Sequence, residues 1–338
     1  MSYISIGDMA QTYQMRRHHV ELQKHLTRLS KELASGQRAD LAEAVSGDFK
    51  ALAGLERSLG VLQSFETATS EAALFGQSLQ TVLGNSQAIA EELAPALLMA
   101  ATSSSPTMVA SAGFDARQKL EAVVSNLNTE VADRFLLSGD ATDRPPLASA
   151  QDILTGLTAA IGGQTTASGV AAAVAAWFDA PAGGGGFIDQ IYGGSATALA
   201  PFRIGENETA ALDVLATDPA IRDTLEALAL GALVDQGALA GDVAGQSLLI
   251  RWSGEGLVGA ADGLAHLRAR VGTFESAVSQ AASRNAAQAS ALTIARNEIV
   301  AADPYETASA LELVQTQVET LYTLTARLSR MSLADVLR

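Results

Sequence analysis

Residues 303–338 read DPYETASALELVQTQVETLYTLTARLSRMSLADVLR, and their spacing is that of one long amphipathic helix. Leu311, Val314, Val318, Leu321, Thr325, Leu328 and Ser332 alternate steps of three and four, a heptad seam on one helix face. Asp303 is placed to cap that helix, with Pro304 at its first position and Glu306 as capping-box partner. Near the other end, Met15, His19, Leu22, Leu26, Leu29 and Leu33 repeat the alternation. Each stripe would run roughly 30–40 Å at ~1.5 Å per residue, and neither can bury itself alone. The pattern predicts that the two ends of the chain pair, and that Met15, Leu22, Leu26, Leu29, Leu33, Leu311, Val314, Val318, Leu321 and Leu328 form an assembly interface.

Between the ends the same grammar continues. Leu52, Leu55, Leu59 and Leu62 begin a stripe in a helical region expected from Leu41 to about Ala101. The stripe drifts and resumes at Phe75, Leu79, Val82, Ile89 and Leu93, as across a stutter. Ser105 and Pro106 restart a helix carrying Leu120, Val124, Leu127 and Val131, expected to end near Ser138-Gly139. A third seam runs from Leu264 through Leu267, Val271, Phe274, Val278, Ala281, Asn285, Gln288, Leu292 and Ala295 to Ile299. Asn285 and Gln288 are polar on it, either as a tolerated loss in a loose layer or as a register-fixing layer.

From Asp143-Arg144-Pro145-Pro146 onward Gly and Ala become dense, with four glycines at 183–186. Phe187–Tyr192, Ala198–Ile204 and Glu208–Val214 read as strands, and a helix is expected from Asp218 to about Val234. The expected fold is mainly α: a helical rod or coiled coil formed by paired N- and C-terminal segments, with a small α+β insertion. The expected division is 1–40 with 300–338 as terminal coiled coil, 41–140 with 245–299 as helical rod, and 141–244 as an outward-facing insertion.

Composition narrows the function. The chain has 338 residues, no cysteine, 48% hydrophobic but only 5% aromatic residues, and a net charge of −15. Absent cysteines exclude disulfides and thiolate metal sites. The acidity argues against general nucleic-acid binding. The front helix is nonetheless basic through Arg16, Arg17, Lys24, Arg28, Lys31 and Arg38, which also fits an anionic membrane surface. Apolar runs such as Leu93–Ala101 are too short to span a bilayer, and residues 1–15 lack a signal-peptide core. His18 and His25 lie about 10 Å apart along a helix, too far to share an ion, and Glu21 with His25 makes only half a metal site. No phosphate loop, dinucleotide fingerprint or nucleophile elbow is present. No enzyme, cofactor or metal is expected.

The residues at both ends resemble the flagellin family. Leu26-Thr27-Arg28-Leu29-Ser30-Lys31-Glu32-Leu33-Ala34-Ser35-Gly36-Gln37-Arg38 is similar to its N-terminal helix, and Asp303 to Leu333 to its C-terminal one. Ala132-Asp133-Arg134-Phe135-Leu136-Leu137-Ser138-Gly139 and Phe202-Arg203-Ile204-Gly205-Glu206-Asn207-Glu208 look like segments of its hook–filament junction branch, the hook-associated protein 3 type. That resemblance implies a structural adaptor joining hook to filament. Filament flagellin shares the same ends and is the alternative. It further implies export without a cleaved signal, an extracellular place on the flagellum, and an export chaperone. The implied partners are hook-associated protein 1, flagellin and copies of the chain itself. The terminal helices would line a hollow tube and order only on assembly.

Overall fold

The computed structural model describes residues 6–103 and 105–336, with the side chains of 10, 13–103 and 105–327. It is mainly helical. In chain order come α1 (Ile6–Ser35), α2 (Leu41–Ala44), α3 (Lys50–Thr102), α4 (Pro106–Leu127), β1 (Glu130–Val131) and β2 (Arg134–Phe135). There follow α5 (Ala150–Ala160), α6 (Ala167–Asp179), α7 (Phe187–Gln190), β3 (Phe202–Arg203), β4 (Thr209–Ala210), α8 (Pro219–Asp235), α9 (Val243–Val300) and α10 (Pro304–Val336). The chain divides into two compact units, residues 1–62 with 287–338, and residues 63–286.

In the larger unit α3, α4, α8 and α9 pack antiparallel as a bundle. The α3 seam is Phe65, Thr69, Ala72, Gly76, Leu79, Leu83, Ser86, Ala90, Leu93, Leu97 and Ala100, all buried and in unbroken three–four alternation. The expected drift falls at one place, where Leu59, Leu62 and Phe65 follow at two successive steps of three; from Phe65 on there is none. Thr69, Gly76 and Ser86 occupy seam positions without reading as apolar, so the stripe looked shifted. Their polarity is satisfied locally: Thr69 donates to Phe65 O at 2.9 Å and Ser86 to Val82 O at 3.0 Å. Small residues bring backbones together elsewhere too. A side chain at Gly231 would meet Ala116 on α4 and Ser253 on α9 within 3 Å.

Two helix boundaries differ from expectation. The helix expected from Leu41 breaks after α2, because Ser46 (φ 51°) and Gly47 (φ 80°) are left-handed and Gly47 N–H returns to Ala42 O. Asp48 then accepts from Lys50 N–H and restarts the chain as α3. Likewise α4 stops at Leu127 rather than near Gly139. The Asn128 amide both donates to and accepts from the Leu147 backbone at 2.9 Å, diverting the chain into the β1–β2 hairpin. Ala132 and Asp133 form its turn with φ of 51° and 59°, and Val131 is a strand residue. Arg134 pairs with Glu71 on α3.

Residues 141–216 lie against the flanks of this bundle and share its hydrophobic core. Trp177, Phe178 and Phe187 stack into a buried aromatic cluster. Phe187–Gln190 is a helical turn, not a strand, since Phe187 and Ile191 bury at a spacing of four rather than two. The other two expected strands shrink to the two-residue pair β3–β4. Its Phe202 ring packs 5.9 Å from Phe75 and 6.1 Å from Phe274. Asp218 caps α8 as expected, accepting from Ala220 N–H. The end of α8 lies against the start of α4, where a side chain at Gly113 would crowd Val234 and Asp235.

Asn285 is buried and donates to Ile204 O at 2.8 Å, fastening α9 to the β3–β4 hairpin; Gln288 is exposed. The two polar seam residues thus do different things. Asn285→Ala should destabilise the larger unit by about 1–2 kcal/mol, since Ile204 O loses its partner. Thermal unfolding checks this, and an unchanged melt would mean water serves that carbonyl equally well.

Glu226 on α8 is pushed up to about 7 by burial and by the nearby carboxylates of Asp179 and Asp223, against the opposing Arg222. A carboxyl raised above its unfolded value is easiest to accommodate protonated. Stability from this group is therefore fully present below its ordinary value of 4.5 and lost as pH rises through about 7. Glu226→Gln should flatten that dependence and gain on the order of 2 kcal/mol at pH 8, the shift discounted for partial solvation. Denaturant melts at pH 5 and pH 8 read it; equal loss in both proteins over that interval would assign the effect elsewhere.

Candidate assembly interface

The smaller unit is built on the seams at the two ends of the chain. Leu22 and Leu29 of α1 and Val314 and Val318 of α10 bury one another, flanked by half-buried Leu26, Ala310, Leu311 and Leu321. His19 meets Tyr322 edge-on at a centroid distance of 5.3 Å and carries the contact toward the start of α1. Of the remaining predicted residues, Met15 is half-buried, and Leu33 is 41% exposed near the end of α1. Leu328 lies outside the described side chains.

Backbone joins the ends as well. Gly36, at φ 66°, ends α1, and the chain beyond it bridges the α9–α10 link. Arg38 N–H donates to Val300 O at 2.9 Å and Ala302 N–H to Gly36 O at 3.1 Å. Asp303 caps α10 by accepting from the N–H groups of Tyr305 and Glu306. On the α1 side Arg28 reaches Glu43 at 3.4 Å and holds α2, itself capped by Asp40, against the helix. Residues more than 260 positions apart therefore share hydrogen bonds, as with Arg38 Nε to Ala301 O.

Among the described residues, a cluster of four buried apolar side chains is small for helices of 30 and 33 residues. Such helices gain most of their stability from packing, so this pair is thinly supported alone. Its outer surface carries apolar groups in water: Tyr13 (69% exposed), Val20 (50%), Leu313 (59%) and Leu324 (49%). On α1 these belong to a second three–four strip, Tyr13, Arg17, Val20, Lys24, Thr27 and Lys31. A shallow groove along that helix is lined by Val20, Lys24, Thr27, Arg28 and Lys31. That strip was readable in the sequence but hidden, because charges dilute its apolar members. Among the described residues no His, Asp and Glu cluster could hold a metal ion, and no helix is long and apolar enough to cross a membrane.

Residues 256–337 match the model of the bacterial flagellin C-terminal helical region. Over that stretch the chain is similar to flagellin. The match runs from within α9 through α10 and so covers the C-terminal half of the helix pairing just described. The chain also aligns with a solved structure assigned to a flagellar hook-associated protein from Vibrio parahaemolyticus. The identity is 13% with a TM-score of 0.41, over 73% of this chain and 99% of that one. No curated protein matches it.

Proposed function

We propose that the chain is an axial component of the flagellum that joins hook to filament, assembling through its paired ends. The observation that carries the assembly reading is the α1–α10 pair: its inner face is closed by residues from both ends, while its outer face leaves apolar side chains in water. The flagellin-type match over α10 supports the same use of this helix. Segments 1–40 and 300–338 form the tube-lining layer, 41–140 and 245–299 with α8 the surrounding rod, and the rest of 141–244 the outward face. The chain leaves the cell without a cleaved signal, escorted by a chaperone, and meets hook-associated protein 1 on one side and flagellin on the other. The junction role itself rests on the likeness of 132–139 and 202–208 to that branch.

Deleting the gene should leave bare hooks and release flagellin into the medium, and immunogold should place the protein at the base of each filament. Label along whole filaments would instead make it the filament subunit, and purified chain would then extend seeded filament fragments into long polymers. Normal filaments on the deletion strain would end the junction reading. Binding to anionic vesicles that weakens with salt, with α1 and α10 ordered in the monomer, would favour the membrane-surface alternative.

A further inference from the structure

Arg268 on α9 is half-buried, and amides hold it. Its Nε donates to Gln80 Oε1 at 3.1 Å and its Nη1 to Gln87 Oε1 at 2.8 Å, while Gln80 Nε2 donates back to the Arg268 carbonyl at 2.8 Å. The guanidinium lies across Gly84, its carbon 3.6 Å from where a Cβ would stand. Elsewhere in the same unit Arg117, Arg134, Arg270 and Arg284 each end on a carboxylate. Among the described residues Arg268 has none within 4 Å, and its Nη2 makes no hydrogen bond. The result is an undiminished charge on a planar fork whose rotamer is already fixed, which lowers the entropy lost on pairing.

We propose that Arg268 is an intersubunit receptor for a carboxylate, supplied by the acidic segment 141–244 of a second copy of the chain. Charge singles out that partner. The protein carries 37 acids against 22 bases, and 141–244 holds twelve acids against three bases. Asp143 and Glu206 there are exposed, with no ion pair among the described residues. A polyanion such as nucleic acid or a lipid surface fits poorly, because Glu91, bonded to Gln87, and Glu275, against Gly76, flank the site. One carboxylate between two glutamines matches the fork. This contact rests on the assembly reading above but involves neither α1 nor α10, so it adds a second layer of adhesion.

The test uses full-length Arg268→Lys in light and heavy isotopic forms, mixed, assembled and coupled with a zero-length carbodiimide. Mass spectrometry should find mixed-isotope links from the amine introduced at position 268 to an acid within 141–244. In polymer that Arg268→Lys does form, links confined to one isotope, links to acids elsewhere, or no link from that amine overturn the proposal. In parallel, Arg268→Gln should raise the concentration needed for assembly at least tenfold and flatten its salt dependence, with the monomer melt unchanged. Failure of Arg268→Lys to assemble with an intact melt supports the proposal in the same way. Assembly by Arg268→Gln at the unmutated concentration overturns it alone. An unmutated chain that stays monomeric under all conditions takes down this proposal and the assembly reading together.

Discussion

Val318→Asp is expected to part α1 from α10 and stop assembly while leaving residues 63–286 folded. Val318 is 7% exposed, and among the described residues Leu22, Leu29 and Val314 are the other buried members of its cluster. A carboxylate there must be desolvated without a partner or must open the seam, and an unpaired buried charge costs roughly 3–5 kcal/mol. The pair cannot absorb that loss, since neither helix would persist as an isolated stripe. The larger unit has its own core and does not depend on this seam. Three readouts follow: pelletable polymer disappears, far-UV helix signal falls by up to the share of α1 and α10, and the main melting transition keeps its midpoint. Val318→Ile, which preserves the apolar contact, should assemble normally. Normal assembly by Val318→Asp would show that the seam is not what holds subunits. Loss of the main transition would show that the two units fold as one.

The seams at the two ends were legible because each is a long run of Leu and Val at heptad spacing, with a recognisable cap at Asp303-Pro304. Their mutual packing followed from the match of the two stripes in length and spacing at opposite ends of the chain. The α3 seam was partly illegible for a chemical reason: Thr69, Gly76 and Ser86 sit where apolar residues were sought, and the two hydroxyls are satisfied by the helix's own carbonyls. Helices α5 and α6 were missed behind a Gly/Ala-rich texture, although Ser149 and Asp152 form a capping box at the start of α5. The strand reading of Phe187–Tyr192 failed because six residues with apolar pairs at 187–188 and 191–192 are too short to fix a period, and burial at positions 187 and 191 settles it as helical. Arg268 could not be found from sequence at all. Its meaning depends on Gln80 and Gln87, 188 and 181 residues away, and on the missing side chain of Gly84.

Gly139→Ala is expected to be among the most damaging single changes in the larger unit. Gly139 has φ 65°, where an L side chain pays roughly 1 kcal/mol or more. A Cβ there would also stand inside contact distance of Thr197 O and 2.7 Å from Ser195 O. Both oxygens belong to a backbone segment that cannot simply step aside, because Asp140 N–H donates to Thr197 O at 3.0 Å and Ser195 N–H to Ser138 O at 2.9 Å. Relieving the clash means breaking those bonds beside Ser138, whose hydroxyl is tied to Arg144 O. Strain and lost hydrogen bonds together put the cost at roughly 3–5 kcal/mol, or a fall in melting temperature of about 10 °C for a unit of this size. Gly163→Ala supplies the control: its φ is 87° but no atom lies within 4 Å of the added carbon, so only the backbone strain remains. The difference between the two melts isolates the close approach of 195–197 to Gly139. Equal melts would mean that approach is absent in solution and that only the left-handed backbone asks for glycine at 139.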